Sequence, residues 1–246
     1  MAKEWFETWF DSPYYEMLYA HRDEDEARKL IDNMLASISF PPPASIIDVG
    51  CGNGRHALYL ADKGYEVTGV DISERSIKEA REEGQGKADF YIHDMRDPLP
   101  GGPYDMLLNL FTSFGYFSTD EEMKSTLSNF ANALNHKGFL VLDYFNARTI
   151  LNNLVNEETI TKNGYTFHIK RYKDGKFLVK EIEVENGKSA DRENYYERVR
   201  LLNEEDFEHL LEEMGFQVKF CCGDYEMSPF WPNKSPRLII IACKER

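Results

Sequence analysis

The chain has 246 residues, 42% of them apolar and 29% charged, which suits one α/β sheet with a sizeable core and an insertion. A formal net charge of −14, with no basic stripe anywhere, disfavours a nucleic-acid partner, because an acidic surface repels phosphate backbones. No apolar run approaches the length of a membrane span, and the segment Met1 to Phe6 lacks the apolar stretch and cleavage site of a signal peptide, so the expectation is a cytoplasmic chain with no membrane partner.

The first segment, to about Asp23, is rich in aromatic residues and reads as short helices, one of them started by Pro13. Asp23 with Glu26 then marks the start of an amphipathic helix with Ala27, Leu30, Ile31, Met34, Leu35 and Ile38 on one face. Pro41 to Pro43 ends this N-terminal helical region, 1–43. Strands and helices alternate next. Strands are expected at 45–49, 66–71, 88–92, 105–110 and 139–143. The helices between them run from Arg55 to Lys63, from Ser73 to a stop at Gly84, and from the Thr119/Glu122 capping box to Gly138. This alternation predicts parallel pairing with right-handed crossovers.

The pattern changes over 157–200. Asn163-Gly164, Asp174-Gly175 and Asn186-Gly187 separate strand-like stretches, which predicts an inserted antiparallel meander serving as a substrate lid or a dimer surface. Asn203 then caps a helix that Gly215 stops, and strands at 216–222 and 237–243 close the chain. The whole, 1–246, reads as one domain. Cys221 and Cys222 read as small apolar residues on a buried strand rather than as a redox or metal site, and no metal is expected.

The chemistry concentrates at 46–54. A buried strand ends in Asp48, and Gly50, Gly52 and Gly54 follow at alternate positions. Such a turn lets a ligand lie against bare backbone, and the helix behind it offers N–H groups. About twenty residues on, the second strand ends in Asp71, whose carboxylate can accept from both hydroxyls of a ribose. Arg55 stands where a dinucleotide fingerprint needs its third glycine. Asp48 suits an ammonium better than a pyrophosphate, which weighs against a nicotinamide-dependent oxidoreductase.

The run Asp48-Val49-Gly50-Cys51-Gly52-Asn53-Gly54 resembles the first motif of class I S-adenosylmethionine (SAM)-dependent methyltransferases. The resemblance extends from about Asp23 through most of the chain. It implies a Rossmann-like, seven-stranded, mostly parallel sheet with helices on both faces and an antiparallel closing strand, and SAM as the cofactor. By that resemblance the turn Asp48 to Asn53 contacts the methionine part of SAM and Asp71, beside Ile72, holds the ribose. Asp94-Met95 flanks adenine, and Asn109-Leu110-Phe111 lies beside the sulfonium. Tyr19, in the region where the family carries a lid, is a candidate contact to the sulfonium. On the acceptor side, Tyr15, Phe111, Arg148 and Trp231 are substrate candidates, and His21 and Asp143 are candidates for a general base. His56 reads as a helix-surface residue beside the turn. The reaction implied is methyl transfer to N, O or C of a small-molecule acceptor, with a possible homodimer. A non-catalytic SAM-binding module remains the alternative.

Overall fold

The structure is a computed structural model that describes residues 4–19, 24–187 and 192–245. Nine of its strands and helices build a doubly wound core: β1 (Ser45–Val49), α4 (Arg55–Asp62), β2 (Glu66–Asp71), α5 (Glu74–Gly84), β3 (Asp89–Ile92), β4 (Tyr104–Asn109), α6 (Asp120–Ala133), β5 (Leu134–Phe145) and α8 (Glu204–Glu213). Three short helices, α1 (Trp5–Trp9), α2 (Pro13–Tyr19) and α7 (Ala147–Asn152), and the longer α3 (Glu24–Ile38) flank it. The insertion carries β6 (Glu157–Lys162), β7 (Tyr165–Asp174), β8 (Phe177–Asn186) and β9 (Arg192–Arg200). The chain closes with β10 (Phe216–Cys222) and β11 (Arg237–Lys244).

The main sheet has seven strands in the order β10-β11-β5-β4-β1-β2-β3, parallel except for β11, which pairs antiparallel with both β5 and β10. Its central strands are mostly apolar because both faces are covered. Ile47, Leu107, Leu140, Leu142 and Ile240 face α6 and α8, while Ile46, Met106, Leu108, Val141, Ile239 and Ile241 face α3, α4 and α5. β1 and β4 are neighbours whose connections leave in opposite directions, so a crevice opens at their C-terminal ends.

The second sheet is a meander, β6-β7-β8-β9. Asn163 and Gly164 both take positive φ, 51° and 81°, the pair of conformations a two-residue hairpin needs. One face of this sheet, Phe167, Ile169, Ile182 and Val184, packs against Trp9 and Leu18 of α1 and α2. The N-terminal region therefore divides. Helices α1 and α2 stand on the inserted sheet, whereas α3 packs on α4 and the main sheet.

Several boundaries differ from the sequence expectation. Gly84 lies inside α5, where a Cβ would come within 2.9 Å of Leu58. The left-handed residue that ends the helix is Gln85. Helix α6 stops at Ala133, five residues before Gly138, because Leu134 already pairs with Tyr104 and the Lys244 ammonium caps the Ala131 and Leu134 carbonyls at 2.6 and 2.8 Å. Gly138 is needed for closeness instead, since a Cβ there would meet the Asn135 carbonyl at 2.9 Å. The cap expected from Asp23 lies outside the described residues. Among the described residues, no helix is long and apolar enough to cross a membrane.

Candidate active site

The crevice widens into a cavity of about 670 Å³ between the glycine turn and helices α1 and α2. Its floor begins where β1 runs into the turn. The Gly50 and Cys51 N–H groups donate to the Val70 carbonyl at 2.8 and 3.0 Å, which ties the turn to β2. At Gly54 (φ 82°) a Cβ would lie 2.7 Å from the Phe90 ring, so glycine lets the turn close on the core. At Gly52 (φ 55°) a Cβ would meet nothing within 4 Å, because this backbone faces the open cavity. The two glycines are thus needed for different reasons, one for packing and one for bare access.

Asp71 braces this arrangement. One carboxylate oxygen accepts the Gly52 N–H at 2.8 Å and the other the Ser73 N–H at 2.9 Å, which also fixes the start of α5. Each oxygen keeps a further lone pair for a ligand hydroxyl. Burial pushes the Asp71 carboxyl up, against the backbone donors that pull it down. Asp48 is fully buried behind the turn, and burial pushes its carboxyl up to about 7, with the Asp71 charge adding to the effect.

At the far end, Asp94 is gripped by the Arg96 guanidinium through contacts of 2.6 to 3.1 Å. That pairing outweighs desolvation and holds the Asp94 carboxyl below its usual range. Arg96 reaches on to Glu4 at 3.1 Å and lies 5.3 Å from the Phe6 ring, joining the floor to α1. The roof is aromatic. Phe10 packs on Tyr15 and Tyr116 with ring centroids 4.9 and 5.3 Å apart, and Tyr15 on Tyr19 at 5.0 Å.

A polar cluster on the inserted sheet holds this roof. Glu197 of β9 accepts from the Trp9 indole at 2.8 Å and the Tyr19 hydroxyl at 2.7 Å. The buried Lys180 of β8 donates to Tyr19 at 2.5 Å and lies 3.7 Å from Glu197. Arg200, at the end of β9, donates to the Phe117 and Ser118 carbonyls at 2.9 and 3.1 Å and pairs with Asp120. Phe117 and Ser118 line the cavity.

The cavity brings together Tyr15, Tyr19, Gly50, Cys51, Gly52, Asn53, Asp71, Ile72, Asp94, Met95, Leu110 and Phe111. Other candidates stand apart from it. Asp48 and Asn109 are buried beneath the turn, and the Asn109 amide donates to the Val49 carbonyl at 2.8 Å. Asp143 is buried in an ion pair with Arg237 rather than facing the cavity. Arg148 points to Glu205 at 3.9 Å on the surface, and Trp231 is 63% exposed in the loop before β11. His21 lies outside the described residues.

His56 requires a correction. It is buried, lines the cavity and packs on Phe111 at a tilt, with centroids 5.2 Å apart, and burial lowers its pKa to about 3, so the ring is neutral. The signal was available: His56 precedes the buried Leu60 by one helical turn and shares its face. Phe6, Phe10, Arg96 and Tyr116 also went unforeseen, since their partners are distant in sequence.

The cavity fits SAM. Bare backbone at Gly52, a two-oxygen acceptor at Asp71 and an acid at the end of the crevice match its methionyl, ribose and adenine parts. Fold and site together define a class I SAM-dependent methyltransferase. The comparisons agree. A family model described as a methyltransferase domain matches residues 19–219, and the chain belongs to that family. YqeM of Bacillus subtilis strain 168, itself described only as a methyltransferase, is 26% identical over 242 residues, covering 94% of this chain and 95% of that one. The dTDP-3-amino-3,4,6-trideoxy-α-D-glucopyranose N,N-dimethyltransferase of Streptomyces venezuelae is 27% identical over 154 residues, 62% of this chain and 65% of that protein. A crystal structure of a SAM-dependent methyltransferase from Clostridium acetobutylicum shares the fold with a TM-score of 0.79 at 15% identity, covering 94% of this chain and 95% of that one. The protein is a SAM-dependent methyltransferase with a Rossmann-like fold.

Proposed function

We propose that the acceptor is a small amine, which enters under the aromatic roof with its reacting nitrogen unprotonated and is methylated on that nitrogen. One observation carries this reading. Among the described residues, six carboxylates line the cavity (Glu4, Glu16, Asp71, Glu79, Asp94 and Glu122) against two guanidiniums, Arg55 and Arg96, so the field favours a cationic centre such as the ammonium that methylation leaves on the acceptor. The named activity of the Streptomyces relative, an amino-sugar N,N-dimethyltransferase, supports nitrogen as the attacked atom. The acidic cavity also supports the expectation that nucleic acid is not the substrate.

When bound, SAM supplies a methyl group already activated on a sulfonium. The protein's own residues bind, orient and exclude water. In this reading the turn Gly50–Asn53 carries the methionyl backbone, Asp71 the ribose hydroxyls, and Asp94 with Met95 the adenine edge. Tyr15, Tyr19, Phe10 and Tyr116 form the aromatic roof of the cavity, and their faces would favour a cationic centre beneath them. An amine attacks through its lone pair, so the acceptor needs only to arrive unprotonated. No buried base is required in the cavity. The inserted sheet serves as the lid's scaffold: Lys180 and Glu197 fix α1 and α2 at their polar ends.

The test is turnover of SAM to S-adenosylhomocysteine with single acceptors: an aminodeoxy sugar, glycine, spermidine, a phenol and a simple carboxylic acid. Product formation with amines alone, with the new methyl on nitrogen by mass fragmentation, is the expected result. Turnover with the phenol or the acid instead contradicts the amine reading.

A further inference from the structure

Just past the end of β4 the chain enters the cavity wall at Leu110, and the two residues that follow adopt a costly backbone. Phe111 and Thr112 both have positive φ, 56° and 71°. Neither is glycine or asparagine, and left-handed residues of this kind persist only where their surroundings over-determine them. Here the determinant is Asp143 on the neighbouring strand. Its carboxylate accepts the Phe111 N–H at 2.9 Å, and its carbonyl accepts the Thr112 N–H at 2.8 Å. The carboxylate is in turn fixed from two other elements. Arg237, the first residue of β11, donates from Nε at 2.8 Å, and the Tyr225 hydroxyl from the β10–β11 connection donates at 3.2 Å. Arg237 also donates to the Thr112 hydroxyl at 3.1 Å. The Asp143 side chain has no solvent exposure, so it does not reach the cavity, but the Phe111 ring does. That ring stands beside His56 and Arg55 at the start of α4, on the same side as the glycine turn.

We propose that Asp143, clamped by Arg237, is a positioning residue that pins the left-handed Phe111–Thr112 turn and so places the Phe111 ring against the aminoacyl arm of SAM. This deepens the cofactor placement given above and rests on it. It replaces the role of general base considered for Asp143 from the sequence. Isosteric Asp143→Asn keeps the volume but removes the charge that holds Arg237 and sets an amide against one of the donors. The turn then relaxes and the wall beside the aminoacyl arm moves, while the adenosine end, anchored on Asp71 and Asp94, does not.

The experiment measures binding with two probes on the full chain: SAM, and 5′-methylthioadenosine, which lacks the aminoacyl arm. Asp143→Asn is expected to weaken SAM about tenfold and to leave methylthioadenosine within roughly twofold, a selectivity that general destabilisation does not produce. A second substitution, Thr112→Gly, removes the left-handed penalty and is expected to restore most of the SAM affinity in the Asp143→Asn background. If Asp143→Asn folds poorly, Arg237→Lys, which keeps the charge but loses the two-point grip, is expected to give the same selectivity in weaker form. Unchanged SAM affinity in both variants overturns the proposal, as does equal weakening of the two probes. A wild-type protein that binds neither probe overturns the cofactor placement itself.

Discussion

Replacing Asp71 by asparagine probes the floor of the site and the cofactor at once. In the structure both carboxylate oxygens are engaged by backbone, one by the Gly52 N–H and one by the Ser73 N–H. Asparagine offers one acceptor oxygen, so one of these two donors loses its partner and meets an amide hydrogen instead. An unpaired buried donor costs about 1–3 kcal/mol, which for a chain of this size lowers Tm by roughly 2–4 °C per kcal/mol. The ligand side loses more. The ribose hydroxyls exchange a charged acceptor for a neutral one, and hydrogen bonds to charged groups contribute about 1.5–3 kcal/mol against about 1 for neutral ones. Two such bonds weakened together predict a loss of about 2–3 kcal/mol in SAM binding, roughly 30- to 150-fold. Calorimetric titration of the wild type and of Asp71→Asn with SAM, beside thermal melts of both, measures the two effects separately. SAM affinity within roughly threefold of wild type in a folded variant would refute the ribose assignment.

The two turn glycines should fail differently. Gly52→Val is expected to abolish SAM binding at a folding cost of roughly 1–2 kcal/mol, whereas Gly54→Ala should lower Tm sharply because its Cβ meets Phe90 at 2.7 Å; melts and titrations of each distinguish them. Lys180→Met leaves Glu197 without its cation and is expected to destabilise by roughly 3 kcal/mol, with part of the loss recovered in the Lys180→Met/Glu197→Gln double variant, as read by urea denaturation. Asp48 gives a pH signature. Its carboxyl is raised from 3.8 to about 7 in the folded protein, so between those values the folded state holds a proton that the unfolded state has released. Its stabilising contribution is full below the unfolded value and is lost as pH rises through about 7, at about 1.4 kcal/mol per pH unit within that window. Asp48→Asn should therefore gain stability relative to wild type on going from pH 4.5 to pH 8, and a constant difference between the two proteins would contradict the burial argument.

Local chemistry explains what the sequence revealed. The Thr119/Glu122 capping box and the Asn203 cap act within three residues, so the starts of α6 and α8 were legible. The Asn163-Gly164 hairpin and the glycine turn with Asp71 were equally readable, because each conformation demands particular residue types within a short span. Long-range features were hidden. Gly84 and Gly138 resembled helix stops, but their role is close contact with Leu58 and with the Asn135 carbonyl. The left-handed Phe111 and Thr112 carry no composition signal, since Asp143 and Arg237 impose them from 31 residues and more away. The roof was legible as an aromatic-rich segment, but not its attachment: Trp9 and Tyr19 are joined to Glu197 across separations of 188 and 178 residues. Arg148 follows the fifth strand and Trp231 sits in the last loop, but the fold directs Arg148, in α7, to Glu205 and leaves Trp231 exposed.

The cavity between the glycine turn and helices α1 and α2 is where SAM is expected to bind. Isothermal titration of the wild-type protein with SAM, S-adenosylhomocysteine and NAD tests this most directly. Saturable, one-to-one binding of the first two in the micromolar range, about −8 kcal/mol, and none of NAD, is the expected result. Absence of SAM binding by folded protein, or binding of NAD in its place, would contradict that placement.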